Sequence, residues 1–186
     1  MHRLHTQWLW IVVCVCLQPA YADNNTQSNT VRIGIHRPTD GDVREISGSS
    51  WFSIGYEHRL RDAGDRSTFV SADYSSGSGT INDVILGAPA TFRTKSTVIY
   101  LMYGQRVKRE GQRSFYEYAG GLVHAKSDIT GTAGGVTVTD GESKSDLALS
   151  IGGGVELSDR VVLQLRYLWG NRPINEGISL SVGASF

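Results

Sequence analysis

The chain has 186 residues, 22 glycines, 4 prolines and no net formal charge at pH 7. This length suits a single domain, and the charge balance gives no indication of a nucleic-acid partner. Many runs of Val, Ile, Tyr, Phe and Thr, separated by Gly, Asp, Asn and Ser, exclude a disordered chain.

The first 22 residues have the pattern of a secretory signal peptide. Arg3 precedes an apolar run at 8–17, which is too short to cross a bilayer as a helix. Ala20-Tyr21-Ala22 then has the small-residue pattern of a cleavage site. We therefore predict cleavage after Ala22, a short periplasmic segment at 23–29 and one folded domain at 30–186.

After the signal peptide, the chain divides into eight runs with the composition of β-strands. The predicted strands are 30–37, 50–60, 67–75, 91–107, 114–126, 143–157, 160–169 and 176–186. Several alternate apolar and polar residues; in the last, Ile178, Leu180 and Val182 alternate with serine and glycine. Such alternation indicates strands with one apolar and one polar face. The register of the fourth and fifth strands is less regular.

The predicted connections alternate in length. Short turns at 61–66, 108–113 and 158–159 alternate with long loops at 38–49, 76–90 and 127–142. This sorting is typical of outer-membrane barrels, whose short turns lie in the periplasm. The pattern predicts an all-β fold, an eight-stranded antiparallel up-and-down transmembrane β-barrel.

Aromatic residues are predicted to form two belts at the membrane interfaces. Phe52, Tyr74 and Trp169 fall at the outer ends of predicted strands. Tyr103, Tyr116 and Tyr118 fall at the periplasmic ends.

The final third of the chain carries a family resemblance. Its features are Tyr118-Ala119-Gly120-Gly121-Leu122, Ser150-Ile151-Gly152-Gly153-Gly154-Val155, Leu165-Arg166-Tyr167 and the terminal Phe186. Over 30–186 the sequence resembles the small OmpA/OmpX-type and opacity-type outer-membrane proteins.

The resemblance implies an eight-stranded barrel in the bacterial outer membrane, reached after export to the periplasm. It also implies that Ile178, Leu180, Val182 and Phe186 form the signal read by the barrel assembly machinery, a transient partner. This superfamily includes adhesins, serum-resistance proteins and small channels, so the resemblance does not select one function.

The polar strand faces place charged residues in the predicted barrel interior. These residues are Arg32, Glu57, Arg59, Asp73, Glu117, Glu156 and Arg166. Buried charges must pair, and side chains about fill an eight-stranded barrel. We expect a plugged interior; the alternative is a narrow solute channel, opened when the charges exchange partners.

A second alternative is a lipid A-modifying enzyme with a Ser/His/acid site. The candidates are His124, Ser127 and either Asp128 or Glu142. Residues three apart on a strand point to opposite faces, so His124 and Ser127 would need a turn to meet. The spacing also lacks the His-x-Ser pattern of outer-membrane deacylases. We therefore expect a protein that is not an enzyme. Of the other histidines, His36 is expected at the outer rim and His58 near the periplasmic interface.

The long loops are the predicted interaction surface. Alternating Thr and Val at 136–139 indicate a hairpin extending beyond the membrane, whose edge can add a partner strand. Arg37, Arg44, Arg93 and Lys95 are expected near the outer rim, where they can meet lipopolysaccharide phosphates. The expected function is surface interaction or envelope integrity, with a host or surface molecule as a further ligand.

No cofactor or metal is expected. Cys14 and Cys16 both lie in the predicted signal peptide, and the sequence has no clustered histidines. We expect the mature protein to be a monomer with outer-membrane lipid as its permanent surroundings.

Overall fold

In a computed structural model, residues 29–85 and 88–186 are described. The predicted signal peptide and residues 23–28 of the predicted periplasmic segment lie outside the described residues. Among the described residues, no helix is long and apolar enough to cross a membrane.

Eight antiparallel strands form one closed barrel in chain order, and β1 completes the ring by pairing with β8. The strands are β1 (Asn29–Pro38), β2 (Trp51–Asp62), β3 (Arg66–Ile85), β4 (Ala88–Lys108), β5 (Ser114–Ala133), β6 (Val136–Glu156), β7 (Val161–Gly170) and β8 (Gly177–Ser185). The all-β, up-and-down architecture predicted from the sequence is confirmed.

Alternation along each strand decides which side chains face inward. On β8, Ile178, Leu180 and Val182 are 42–45% exposed on the outer surface, whereas Ser179 and Ser181 are buried inside. At the closure with β1, a Cβ on Gly34 would lie 2.1 Å from the Leu180 carbonyl oxygen. The ring therefore closes tightly because a residue without a side chain occupies this position.

The two ends of the barrel differ. Short turns join β2–β3, β4–β5 and β6–β7 at one end, which we call the short-turn end. The first two of these turns contain Gly64 and Gly111, each at positive φ. At the opposite, long-hairpin end, β5 and β6 are joined by Gly134 and Gly135, with φ of 56° and 82°. Two consecutive positive φ values suit a tight hairpin turn, which glycine forms without steric cost.

Two of the predicted long loops are mostly strand. The regions 76–90 and 127–142 continue β3–β4 and β5–β6 as paired strands almost to their tips. On β5–β6, the hydroxyls of Thr130 and Thr139 lie 3.3 Å apart, a cross-strand contact that stabilises the pairing. The hairpin extension indicated by the Thr/Val alternation is confirmed, whereas the loop assignment at 76–90 was wrong. We call the four-stranded extension at 77–85, 88–96, 127–133 and 136–147 the hairpin sheet.

The third long loop, 38–49, contains a short helix, α1 (Gly41–Ser47). Asp40 caps it by accepting a 3.0 Å hydrogen bond from the Val43 amide. Val43 packs against a buried apolar cluster that includes Trp51, Tyr100 and Leu168. These three residues lie inside the barrel, in the half nearer the long-hairpin end. A single 3-10 turn, Pro173–Asn175, connects β7 to β8.

Candidate functional sites: the barrel interior and the hairpin sheet

Three arginines and three carboxylates meet inside the barrel. Arg32 donates to Glu57 at 2.5 Å and, through its other terminal nitrogen, to Asp73 at 3.0 Å. Arg166 donates to Asp73 at 2.7 Å. These four residues are at most 7% exposed.

The cluster continues toward the short-turn end through Arg106. Its Nη2 atom lies 2.8 Å from a Glu117 oxygen and 3.0 Å from a Glu57 oxygen. Gln164 donates to the second Glu117 oxygen and accepts from Arg32. The six charges balance, and paired geometry of this kind offsets much of their desolvation cost. The bonds join side chains from six of the eight strands.

An aromatic layer lies beside this cluster. The Arg106 guanidinium carbon is 4.2 Å from the centre of the Phe115 ring and 5.6 Å from that of Phe69. This cation–π arrangement holds Arg106 in place.

Two of the predicted interior charges lie instead at the mouth of the short-turn end. Arg59 forms an ion pair with Asp62 at 3.0 Å, and Glu156 pairs with Lys108. The Arg59 and Glu156 side chains are 22% and 31% exposed. β2 and β6 end within a few residues of Arg59 and Glu156. An inward-facing side chain at this level therefore lies in the open mouth and not in the closed interior.

Sequence reasoning missed Arg106. On β4, Val98, Tyr100 and Met102 are buried inside, but the outward residues Ile99, Leu101 and Tyr103 are also apolar. With apolar residues on both faces, the strand carries no alternation from which to read the direction of Arg106.

The expectation that His36 lies at the rim was wrong. Its ring is fully buried, 5.5 Å from the ring of Trp51 and 6.2 Å from that of Tyr100. Trp51 and α1 cover this level, which makes it part of the interior. His58 lies near the short-turn end, with its Nδ1 atom 2.9 Å from the Asn29 side-chain oxygen.

The predicted belt aromatics all project outward. Phe52, Trp169, Tyr103, Tyr116 and Tyr118 are 47–58% exposed and Tyr74 is 38% exposed. Tyr74 does not lie at a strand end, because β3 continues to Ile85 and places Tyr74 between Ile54 and Ile99. The exposed Ile178, Leu180, Val182 and Phe186 of the predicted assembly signal share this outer surface.

The structure does not bring the candidate catalytic residues together. Ser127 points inward, with its hydroxyl 3.3 Å from that of Ser96. His124 points outward, where its Nδ1 atom lies 2.9 Å from the hydroxyl of Ser145, the residue opposite it on β6. In residues 29–85 and 88–186, His124 has no ion pair with a carboxylate.

Glu142 takes part in a separate charged group at the long-hairpin end. It is exposed and contacts Lys144 and, at 3.5 Å, Arg172. The hydrogen bond and positive charge of Lys144, followed by the charge of Arg172, lower the pKa of Glu142 from its ordinary value of 4.5. Asp128, the other acidic candidate, pairs with Lys126 at 2.7 Å.

An apolar groove of about 530 Å³ lies on the outer surface of β5, β6 and β7. Gly120 forms its floor, and its walls include Tyr118, Leu149, Tyr167 and Trp169. Gly120 and His124 lie on the same face of β5, four residues apart, so the His124–Ser145 pair lies beyond one end of the groove.

The hairpin sheet has two different faces. Its inward face carries Ile81, Phe92, Ile129, Val136 and Val138, which register places side by side. Its outward face carries Arg93, Lys95 and Lys126, all exposed, together with Asp128 opposite Lys95 and several threonines and serines.

The other two predicted rim cations differ in their surroundings. Arg37 is exposed on β1. Arg44 is held by the loop, because it donates to the carbonyl oxygens of Pro38 and Thr39 at 3.1 and 2.6 Å.

The two free edges of the hairpin sheet are also unequal. Next to the β3 edge, α1 packs against the inward face of the sheet, where a Cβ on Gly79 would lie 2.1 Å from the Ile46 carbonyl oxygen. At the β6 edge, 136–147 pairs with β5 alone, because β7 pairs with β6 only from Ala148 onward.

Comparison with solved structures finds outer-membrane barrels of similar fold. The crystal structure of Ail, the attachment invasion locus protein of Yersinia pestis, matches with a TM-score of 0.56 and 14% identity over 87% of this chain and 98% of Ail. The fold is that of the small OmpA/OmpX-type outer-membrane barrels. The predicted resemblance to this group is therefore confirmed for the fold.

A second OmpA/OmpX-type match is Ail in complex with the heparin analogue sucrose octasulfate, with a TM-score of 0.54 and 13% identity over 87% of this chain and 98% of that one. No protein-family model matches the sequence, and no curated protein matches it. In the described part of the chain, no group of three or more His, Cys, Asp or Glu residues is arranged to hold a metal ion.

Proposed function

We propose that this protein is an integral outer-membrane barrel that binds anionic glycans at the cell surface through its hairpin sheet. The observation that carries the proposal is the grouping of Arg93, Lys95 and Lys126 on one outward face. The exposed apolar strand surface supports a membrane location, since a soluble barrel would bury it.

The spacing of these cations suits a chain of anionic sugars. Arg93 and Lys95 are two residues apart on β4, so their Cα atoms are about 7 Å apart on one face. Lys126 follows on the neighbouring strand, where it is opposite Thr97. Within the described ranges, the ion pair on this face is that of Lys126 with Asp128. Most acidic residues of this end lie elsewhere, on α1 and on the inward face of β6.

The chemistry of the ligand follows from guanidinium and ammonium groups, which bind sulfate and phosphate oxygens through charge-assisted hydrogen bonds. Sulfated glycans and the phosphorylated sugars of lipopolysaccharide share these groups. Ail, which has the same fold, forms a complex with a sulfated sugar.

The test compares two triple variants in binding to immobilised heparin and to purified lipopolysaccharide. The sheet variant is Arg93→Gln/Lys95→Gln/Lys126→Gln. The control, Arg37→Gln/Lys144→Gln/Arg172→Gln, removes the same charge from the same end but outside this outward face. We expect the sheet variant alone to lose about tenfold or more in affinity for one of the probes, since each charge-assisted bond contributes about 1.5–3 kcal/mol. Unchanged binding in the sheet variant would disprove the proposal.

We also propose that the barrel interior is plugged. Support comes from the burial of the six charges and their hydrogen bonds across the lumen. We expect no ion conductance from the purified protein in planar bilayers. Discrete channel openings that disappear in an Asp73→Asn variant would favour the solute-channel alternative.

A second candidate function is hydrolysis of a lipid A acyl ester, and one observation favours it. The His124–Ser145 hydrogen bond lies on the outer surface, beyond an apolar groove suited to an acyl chain. In that reaction His124 would take the hydroxyl proton as Ser145 attacks the ester carbonyl and would return it to the sugar oxygen as the alcohol leaves. Water, deprotonated by His124, would then hydrolyse the acyl-serine and release the fatty acid. Mass spectrometry of lipid A from cells with and without the protein tests this. A lost acyl chain that returns in Ser145→Ala would establish the activity, and identical spectra would exclude it.

A further inference from the structure

The short-turn end carries a ring of exposed arginines. We call Arg61, Arg66, Arg109, Arg113 and Arg160 the arginine collar; all five are exposed. Arg61 and Arg66 lie at the strand ends beside the β2–β3 turn, and the other three lie in the turns that join β4–β5 and β6–β7.

Backbone hydrogen bonds fix these turns to one another. The Lys108 amide donates to the Asp65 carbonyl at 2.8 Å, and the Glu156 amide donates to the Arg113 carbonyl at 2.9 Å. The Ser185 amide donates to the Arg160 carbonyl at 2.7 Å. The collar is therefore a set of cations on one connected rim.

Apolar side chains end where the collar begins. Leu60, Leu157 and Phe186 are 53%, 53% and 63% exposed. Arg61 directly follows Leu60 in sequence, and Arg113 donates to the Leu157 carbonyl oxygen at 3.0 Å. Exposed leucine and phenylalanine in the outer surface mark the edge of the hydrocarbon layer, so the guanidinium groups lie at the depth of the lipid headgroups.

The short-turn end carries a net positive charge. The charged residues are Arg59, Arg61, Arg66, Lys108, Arg109, Arg113 and Arg160 against Asp62, Asp65, Glu110, Glu156 and Asp159. These seven cations and five anions leave a net charge of +2. Asp62 and Glu156 pair with Arg59 and Lys108 at the mouth, which leaves the excess positive charge on the collar.

We propose that the arginine collar binds the phosphates of anionic phospholipids in the periplasmic leaflet. This assignment uses the orientation of OmpA/OmpX-type barrels, whose short turns lie in the periplasm. Arginine binds phosphate with two parallel hydrogen bonds, and anionic headgroups attract basic residues at the membrane surface. The hydrocarbon boundary at Leu60, Leu157 and Phe186 favours a lipid over the cell-wall polymer as the ligand, because it holds the collar against the membrane.

The test measures the selectivity of the reconstituted mature protein for spin-labelled phosphatidylglycerol over spin-labelled phosphatidylcholine by electron paramagnetic resonance. We expect the wild-type protein to prefer the anionic lipid at low salt. The collar variant, Arg61→Gln/Arg113→Gln/Arg160→Gln, is expected to lose at least the factor of about five that one basic residue contributes.

The matched control removes three cations from the opposite end that lie outside the proposed glycan site: Arg37→Gln/Lys144→Gln/Arg172→Gln. It should retain the wild-type preference. Heat-dependent gel mobility checks that both variants are folded. No preference in the wild-type protein, or equal losses in the two variants, would overturn the proposal. Cosedimentation of the mature protein with purified peptidoglycan, without selectivity for the anionic lipid, would also overturn the proposal.

Discussion

Asp73 is the point at which two interior arginines meet. It accepts hydrogen bonds from Arg32 and Arg166 and is 7% exposed. Removing one member of a buried ion pair leaves its partners charged and without compensation, which costs more than the pair itself contributes. Asp73 should therefore be far more important to stability than its single charge suggests.

We expect Asp73→Asn to lower the free energy of unfolding by about 3 kcal/mol, measured by urea unfolding in lipid vesicles. Asp62→Asn is the control, since the Asp62 side chain is 30% exposed in its pair with Arg59. A partly exposed pair contributes at most about 1 kcal/mol. Equal effects of the two substitutions would show that the interior network does not stabilise the barrel.

Glu142 provides a test at acidic pH. Lys144 and Arg172 lower its pKa, so this carboxylate stabilises the folded long-hairpin end above about pH 4.5. The contribution is lost as the pH falls through the lowered pKa. We expect an NMR titration of Glu142 to have its midpoint below 4.5, and Lys144→Ala to move the midpoint upward. A midpoint unaffected by Lys144→Ala would contradict the contact.

At the scale of elements, α1 is held over the barrel mouth by contacts that leave no room for a side chain at Gly79. Thr94 donates to the Ile46 carbonyl, the Ser47 and Ser96 hydroxyls are 2.8 Å apart, and the Trp51 indole donates to the Ser47 carbonyl at 3.0 Å. The helix thus packs on the inward face of β3 and β4 at the base of the hairpin sheet.

A methyl group at position 79 should displace this helix. We expect Gly79→Ala to speed amide hydrogen exchange across 41–47 by about tenfold, as local opening becomes easier by roughly 1–2 kcal/mol, while exchange in β7 and β8 stays unchanged. Ser78→Ala, on the exposed face of the same strand, should leave 41–47 protected. Unaltered protection in Gly79→Ala would show that α1 packs less closely than the structure indicates.

The sequence was most informative where strands have one apolar and one polar face. β8 was located from its alternation, and the β5–β6 hairpin from its threonines and valines. The region 76–90 was mistaken for a loop because Ser76, Gly77, Ser78 and Gly79 have turn composition. They form strand through pairing with β4, and no local pattern records that pairing.

The interior charges could likewise be predicted most readily where the strand alternates. Arg32, Glu57 and Arg166 lie on strands with clear alternation, whereas Arg106 lies on β4, where apolar residues occupy both faces. The His124–Ser145 contact joins residues far apart in sequence and depends on the register of β5 against β6. Register across a long hairpin is set by its turn, here Gly134 and Gly135, and spacing along one strand does not determine it.

For the whole molecule, ring closure joins the two termini of the barrel. Asn29 and Phe186 exchange backbone hydrogen bonds of 3.2 and 2.9 Å, while the Phe186 side chain is 63% exposed. The backbone of residue 186 therefore stabilises the ring, and its side chain is exposed for the predicted recognition by the assembly machinery.

These two roles can be separated. We expect Phe186→Ala to change the stability of the barrel refolded in detergent by less than about 1 kcal/mol, because the backbone bonds remain. The same substitution should reduce the amount of folded protein in the outer membrane of cells, measured by heat-dependent gel mobility. Normal assembly in cells would rule out a recognition role for Phe186, and Ser185→Ala is the matched control.

The length of β6 sets how far this protein reaches. From Ala148, where β7 ends its pairing, to Val136 at the tip, the strand runs twelve residues, which is about 40 Å. Tilted by about 40°, it rises roughly 30 Å above the rim, whereas the headgroup layer of one leaflet is only about 5–7 Å thick. With the long-hairpin end at the cell surface, as proposed, the tip stands about 23–25 Å clear of the lipid, and the thickness of the surrounding polysaccharide layer decides whether another cell can touch it.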